Sequence, residues 1–291
     1  MKKIKKGKFK MIIGIVLVMI ISVLVWFFVP YSPLKNEFVS TISNLKASNA
    51  IDTDKDYFKA EEFEHLPTTI QKYIQNSGFI NTQKMSYMKM EYHDVTFVQG
   101  RGGLSLNIDY IQYNYVHDVA RFAFIDSSFY MIPFQGFDYF NNGIGGMKGV
   151  LGKAITLFDQ TGTDMDKACL VTYLAESLFV PSAILEGNIE FNQIYEYEVE
   201  ATMTYKNISV SGVFKFNDRY EMISLKTNDR AVANTDGSIE YVPWSVKCDD
   251  YTTNENGIKL PSKFQAIWNY EDEDFVYFDG SAYEIVYDYN D

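Results

Sequence analysis

The chain has 291 residues, with 38 Asp and Glu against 26 Lys and Arg, and a formal net charge of −12. That balance argues against a nucleic-acid partner, whose affinity rests on cationic contacts with phosphate, and against docking of the acidic part on anionic lipid. Only two cysteines and three histidines are available for metal chemistry, while an aromatic share of 16% favours strands around a large apolar interior.

The first element is Met11–Val29, nineteen residues without a charge. At about 1.5 Å per residue a helix of that length just crosses a hydrocarbon core about 30 Å thick. Lys2, Lys3, Lys5, Lys6, Lys8 and Lys10 lie in the preceding segment 1–10, which has no acid. The positive-inside rule therefore keeps residues 1–10 in the cytoplasm and puts the rest of the chain outside. A cleaved signal has a shorter apolar core and small residues at its cleavage site. Here the core runs into Trp26-Phe27-Phe28-Val29-Pro30-Tyr31, and no cysteine follows that could carry a lipid. The sequence thus predicts a retained single-pass anchor over 11–29, with Trp26 and Tyr31 at the interface.

Residues 30–59 read as a stalk, polar after Pro30 and Pro33, with Phe38, Ile42 and Leu45 at helical spacing. A short amphipathic helix is expected over Pro67–Asn76, with Ile70, Tyr73 and Ile74 on one face and Gly78 just past its end. From Gln83 to Phe158 the period becomes two, with Phe122 and Phe124 facing one way and Arg121, Ala123 and Ile125 the other. Asn141–Gly146 reads NNGIGG. A phosphate cradle needs a strand before it, a helix after it and usually a Lys-Ser/Thr pair, so a tight or bulged β turn is the reading here.

A helix interrupts the strands over Thr163–Phe179, opened by a capping-box-like Thr163 and Asp166 and stopped by Pro181. Its apolar surface is wide, so it is expected to be buried around much of its circumference. Glu176 sits inside it and calls for a partner, with Arg230 or Arg121 available. Clean alternation then follows over Tyr195–Tyr205, Ile208–Phe216, Tyr220–Asn228, Ile239–Tyr251, Leu260–Tyr270 and Phe275–Tyr289. Turns are expected at Asn217-Asp218, Asp236-Gly237, Asn256-Gly257 and Glu271–Asp274. Long strands joined by short turns make an antiparallel meander. The fold class is mainly β (α+β): a transmembrane helix, then one domain over 60–291 built on a curved antiparallel sheet or unclosed barrel with a few helices packed on it.

Catalytic and metal signatures are sparse. His65, His93 and His117 lack HxxxH or Cys partners, and no CxxC exists, so no metal or cofactor is expected. Ser43–Lys46 matches SxxK without SDN or KTG, and no GxSxG elbow occurs. Glu271–Asp274 lacks the EF-hand spacing and reads as a charged hairpin tip. Cys169 and Cys248 pair outside the membrane or stay as buried thiols; both remain open.

Several segments together resemble an uncharacterised family of bacterial membrane-associated proteins, a domain of unknown function. They are Phe63-x-x-Leu66-Pro67-x-x-Ile70-x-x-Tyr73-Ile74, Asp138-Tyr139-x-x-Asn142-Gly143-x-Gly145-x-Met147, and Tyr173-Leu174-Ala175-Glu176 followed by Pro181-Ser182-Ala183-x-Leu185. Asp229-Arg230, Pro243-Trp244-Ser245, Pro261 and Trp268 complete the set, and the likeness spans roughly Phe63 to the C-terminus. Phe179 departs from it, where the family is expected to carry tryptophan. The resemblance implies no catalytic residues. The element order also looks like the lipoprotein-carrier fold, an unclosed barrel with helices against its concave face, which implies acyl chains or lipoprotein segments held between sheet and helices.

The leading functional expectation is a membrane-anchored extracytoplasmic protein that binds a lipid, acyl chain or lipid-modified peptide. Its pocket is expected at Tyr173, Leu174, Leu178, Tyr197, Met203, Phe214 and Trp268, with Asp138, Glu176 and Arg230 as polar candidates. Two other readings stay open. One is an envelope structural or signalling module that binds a protein partner. The other is an enzyme with a dispersed acidic site around Glu176, Asp138 and Arg230.

Overall fold

The structure, a computed structural model, describes residues 2–48, 56–233 and 238–288. Parts of two expected segments, residue 1 of the basic segment and 49–55 of the stalk, lie outside the described residues, as does the turn expected at Asp236-Gly237. Helix α1 (Lys2–Phe28) is long and apolar enough to cross a membrane, and its side chains from Gly7 to Val25 are exposed.

The strands are β1 (Tyr87–Val98), β2 (Ser105–Tyr115), β3 (Ala120–Phe129), β4 (Ile132–Asn141), β5 (Ile144–Leu151) and β6 (Ile155–Thr161), then β7 (Ile189–Tyr195), β8 (Glu198–Tyr205), β9 (Ile208–Phe216), β10 (Met222–Thr227), β11 (Ala231–Ala233), β12 (Ile239–Tyr241), β13 (Trp244–Thr253), β14 (Lys259–Asn269) and β15 (Asp274–Tyr287). Among the described residues, thirteen of them form one antiparallel sheet in the order β6-β5-β4-β3-β2-β1-β15-β14-β13-β10-β9-β8-β7. Its two edges, β6 and β7, do not pair, so the sheet is open. The expected fold class, mainly β with one unclosed antiparallel sheet and a few packed helices behind an N-terminal apolar helix, is the observed one. The chain crosses from β6 to β7 through α4 (Thr163–Glu176), a 3₁₀ turn over Ser177–Phe179 and α5 (Pro181–Leu185). Helix α4 touches β3, β4, β5 and β6 from one half of the sheet and β9 from the other, so the sheet wraps around it.

The inner face of the sheet is covered, and so is part of the outer face. Inside, α3 (Thr68–Asn76), α4 and α5 meet a core that includes Ile70, Tyr73, Ala123, Ile125, Leu170, Leu174, Val199, Met203 and Phe214. Outside, α2 (Pro33–Ser48) lays Leu34, Phe38 and Ile42 on Tyr113, Tyr115, Phe122, Phe124 and Phe137. The stretch read as a stalk therefore contains a helix that is part of the packed body. The alternation in β3 follows from this: Phe122 and Phe124 join the outer cluster, Ala123 and Ile125 the inner one.

Several local expectations are adjusted. Gly162, with φ 114°, starts α4 in place of a capping box, and the Asp166 carboxylate accepts the Gly145 amide at 2.7 Å. Tyr195 ends β7, and Tyr197 lies in the turn before β8, so the expected strand begins at Glu198. The strand expected over Ile239–Tyr251 breaks at Pro243, which has no N–H to give a ladder and whose carbonyl accepts Asn269 N–H at 2.8 Å. The glycine cluster is explained without phosphate. Asn142 and Gly143, at φ 54° and 82°, make the two-residue turn between β4 and β5. Gly145 lets α4 close on β5, since a Cβ there would meet Met165 O at 2.7 Å.

Candidate functional site

Where α4 crosses the concave face, the side chains it turns toward part of the sheet include the small Ala168, Thr172 and Ala175, beside Met165 and Glu176. The bulky Leu170, Tyr173 and Leu174 pack into the core. The small face leaves space. An inner chamber of about 160 Å³ is lined by Tyr92, Phe97, Tyr110, Phe179, Trp244, Phe264, Tyr277 and Phe278, with Met90, Ile125, Met147, Thr172 and Ala175. An outer chamber of about 190 Å³ continues it past Leu106, Phe134, Phe158, Met165, Val232, Trp268, Tyr270 and Phe275. The two share Phe97, Ile125, Met147, Arg230 and Tyr277. Cavities with a mainly apolar lining and a few placed polar groups are the usual form of small-molecule sites. A separate groove of about 250 Å³ is lined by Asn254, Glu255, Asn256, Ser262, Tyr283 and Glu284, among others, and lacks the arginines described next.

The wall of the inner chamber carries a closed ionic cluster. Arg121 is only 4% exposed. Its Nε donates to Glu176 Oε2 at 2.9 Å, its Nη1 to Asp138 Oδ2 at 2.7 Å, and its Nη2 to Tyr110 Oη at 2.6 Å and Gln112 Oε1 at 3.0 Å. Asn114 Nδ2 donates to Glu176 Oε2 at 2.7 Å, and Gln112 Nε2 to Asn114 Oδ1 at 2.9 Å. Burial works against the guanidinium's charge, but Glu176, Tyr110 and Asp138 more than offset it and hold its pKa well above the ordinary value. Burial pushes the Tyr92 and Tyr110 phenols up, so both stay neutral. A cluster satisfied to this degree fixes geometry; its carboxylates are already engaged.

Arg230 stands differently. It lines both chambers, with its guanidinium 4.8 Å from the Trp244 ring centre and 5.8 Å from that of Trp268. Its Nη1 donates to Ala168 O at 2.6 Å and to Thr172 Oγ1. Its Nε is buried without a hydrogen-bond partner among the described residues.

Asp138, Glu176 and Arg230 thus all line the inner chamber. Of the seven apolar candidates, Trp268 alone lines either chamber. Tyr173, Leu174, Leu178, Met203 and Phe214 are fully buried in the filled core, and Tyr197 packs against it beside Tyr220. Arg121, which ties the two acids together, was visible in the sequence as one of two partners for Glu176; its signal is a single charge in the apolar run Ala120–Ile125. The chamber aromatics Tyr92, Phe97, Tyr110 and Phe278 carry no such mark.

Cys169 and Cys248 are both free and buried. Cys169 Sγ lies 3.7 Å from Asp138 Oδ1, and burial, reinforced by that carboxylate, pushes its pKa up, so it is a thiol and not a thiolate nucleophile. Among the described residues no group of three or more His, Cys, Asp or Glu is placed to hold a metal ion.

The model of a family of unknown function, DUF6544, matches residues 56–280. A crystal structure of a putative outer membrane lipoprotein-sorting protein domain from Vibrio parahaemolyticus is similar at 9% identity and a TM-score of 0.43, over 76% of this chain and 91% of that one. At that distance it bears on neither ligand nor activity. No curated protein matches the chain. Segments far apart in the sequence, around Asp138, Glu176, Arg230, Trp244 and Trp268, meet at one cavity inside the matched region, and the chain belongs to the DUF6544 family.

Proposed function

We propose that this protein is anchored in the membrane by Met11–Val29, with its N-terminus cytoplasmic, and that its domain over 60–291 holds an apolar chain between the sheet and α4. The ligand class is a lipid, an acyl chain or a lipid-modified peptide. The observation that carries the reading is the aromatic-lined double chamber, kept open by the small side chains of α4. Cavities lined mainly by aromatic and aliphatic groups with a few placed polar ones suit such ligands. Arg230 at the waist is the group with donor capacity left over.

The test compares the purified full chain with Ala175→Leu in the same detergent. Native mass spectrometry and organic extraction should recover a reproducible apolar species from the wild type and at least tenfold less from the variant. Equal recovery from both, or none from either, overturns the reading.

A further inference from the structure

The end of α1 does not merely lead into the domain; it is fastened to it. Trp26 Nε1 donates to Gly152 O at 2.9 Å, and Lys153 Nζ donates to Val29 O. Phe27 also lies close to Gly152. Gly152 and Lys153 form the turn between β5 and β6. The level of Trp26, the aromatic residue closing the apolar span, therefore marks where this turn sits relative to a bilayer.

The neighbouring turn, between β3 and β4, projects further. Gly152 N donates to Pro133 O at 2.7 Å, and the hairpin runs past Pro133 to its tip at Tyr130 and Met131. At about 3.3 Å per residue the tip reaches roughly 7 Å beyond that point. Tyr130 is 85% exposed and Met131 80%, and Phe28, Ile155 and Leu157 are exposed as well. A two-residue hairpin turn of this kind favours Asn-Gly, because both positions need positive φ. Here Tyr130 and Met131 hold φ 48° and 66°. Two large side chains occupy strained positions, and the Tyr130 ring packs on Phe129. Strain and exposure together call for a partner, and the fastened end of α1 supplies its identity.

We infer that the Tyr130-Met131 tip is immersed in the extracytoplasmic leaflet as a second membrane contact beside α1. A reach of this order along the strands matches the immersion of side chains at the boundary between headgroups and acyl chains. The outer chamber is lined by Leu106, Phe134 and Phe158, a few residues inside the turns at this same end of the strands. Immersion of the tip therefore sets the chamber on the leaflet and makes a lipid of that leaflet its source of ligand. This inference rests on the membrane-anchor part of the reading above.

The test uses the full chain in vesicles of phosphatidylcholine and phosphatidylglycerol, some lipids carrying a nitroxide quencher near the headgroup end of the acyl chain. Tyr130→Cys is labelled with bimane; the native thiols are buried. Asp118→Cys, in the turn at the other end of β3, is the reference. The expected result is flotation of both variants with the vesicles and quenching at 130 at least threefold that at 118. A chain that floats with equal quenching at both sites overturns the inference alone. A chain that does not float overturns the anchor, and the inference with it. Retention of extracted lipid is read separately, so the cavity reading stands or falls independently.

Discussion

The two faces of the sheet show how the same architectural device gives opposite results. Outside, α2 meets β3 and β4 with large side chains, and Phe38 contacts Tyr113, Phe124 and Phe137 with ring centres 5.6 to 6.2 Å apart. That interface is filled. Inside, α4 offers alanines and a threonine to the aromatic wall, and the interface stays hollow. Aromatic content alone does not make a cavity; the size of the facing helix residues decides it. The inner face also carries the ion-paired Arg121, Glu176 and Asp138, while the outer cluster meets charge through Lys35 and Lys46, which lie over its rings.

The largest way to break this contrast is to unpair the inner charges. Arg121→Met leaves Glu176 and Asp138 without their cation in a buried wall and should cost about 3–5 kcal/mol, read from denaturant unfolding of the full chain. Adding Glu176→Gln and Asp138→Asn to it should recover part of that loss, because the orphaned charges are then gone. On the outer face, Phe38→Ala removes a buried ring and should cost about 3 kcal/mol. It should leave the recovery of an extracted apolar ligand unchanged. A parallel loss of ligand would mean that the outer interface shapes the cavity after all.

Filling the hollow is the converse change. Ala175→Leu places its extra carbons in space that is already empty, so stability should stay within about 1 kcal/mol of the wild type, while ligand recovery collapses. This variant also shows why the pocket was hard to read in the sequence. The fold was legible, because alternation in β8 and β9 and the interrupted pattern at α4 depend on local period. The two acids at the cavity wall could be singled out too, since Glu176 and Asp138 stand out in apolar surroundings. The pocket lining was not. The sequence draws attention to Leu174, Met203 and Phe214, and residues of that size fill space. Lining is set by Ala168, Thr172 and Ala175, whose smallness gains meaning only once the sheet is seen to wrap around them.

The smallest effect concerns a carboxylate outside both interfaces. Glu221 accepts from Asn217 Nδ2 at 2.7 Å and Arg219 Nη2 at 2.8 Å, and also pairs with Lys259. Partial burial opposes its charge, but Lys259, Asn217 and Arg219 hold its pKa down to about 2, against an ordinary 4.5. A depressed carboxyl stabilises the fold fully above its unfolded pKa and loses that contribution as pH falls through the folded one. The wild type should therefore exceed Glu221→Gln by about 1–2 kcal/mol above pH 4.5, the figure being reduced by the exposure of Arg219. The two unfolding curves should converge as pH falls from 4.5 toward 2. Ligand recovery should be unaffected across that range, because Glu221 touches neither chamber. A difference that persists at pH 2 would show that the carboxylate acts through shape and not through charge.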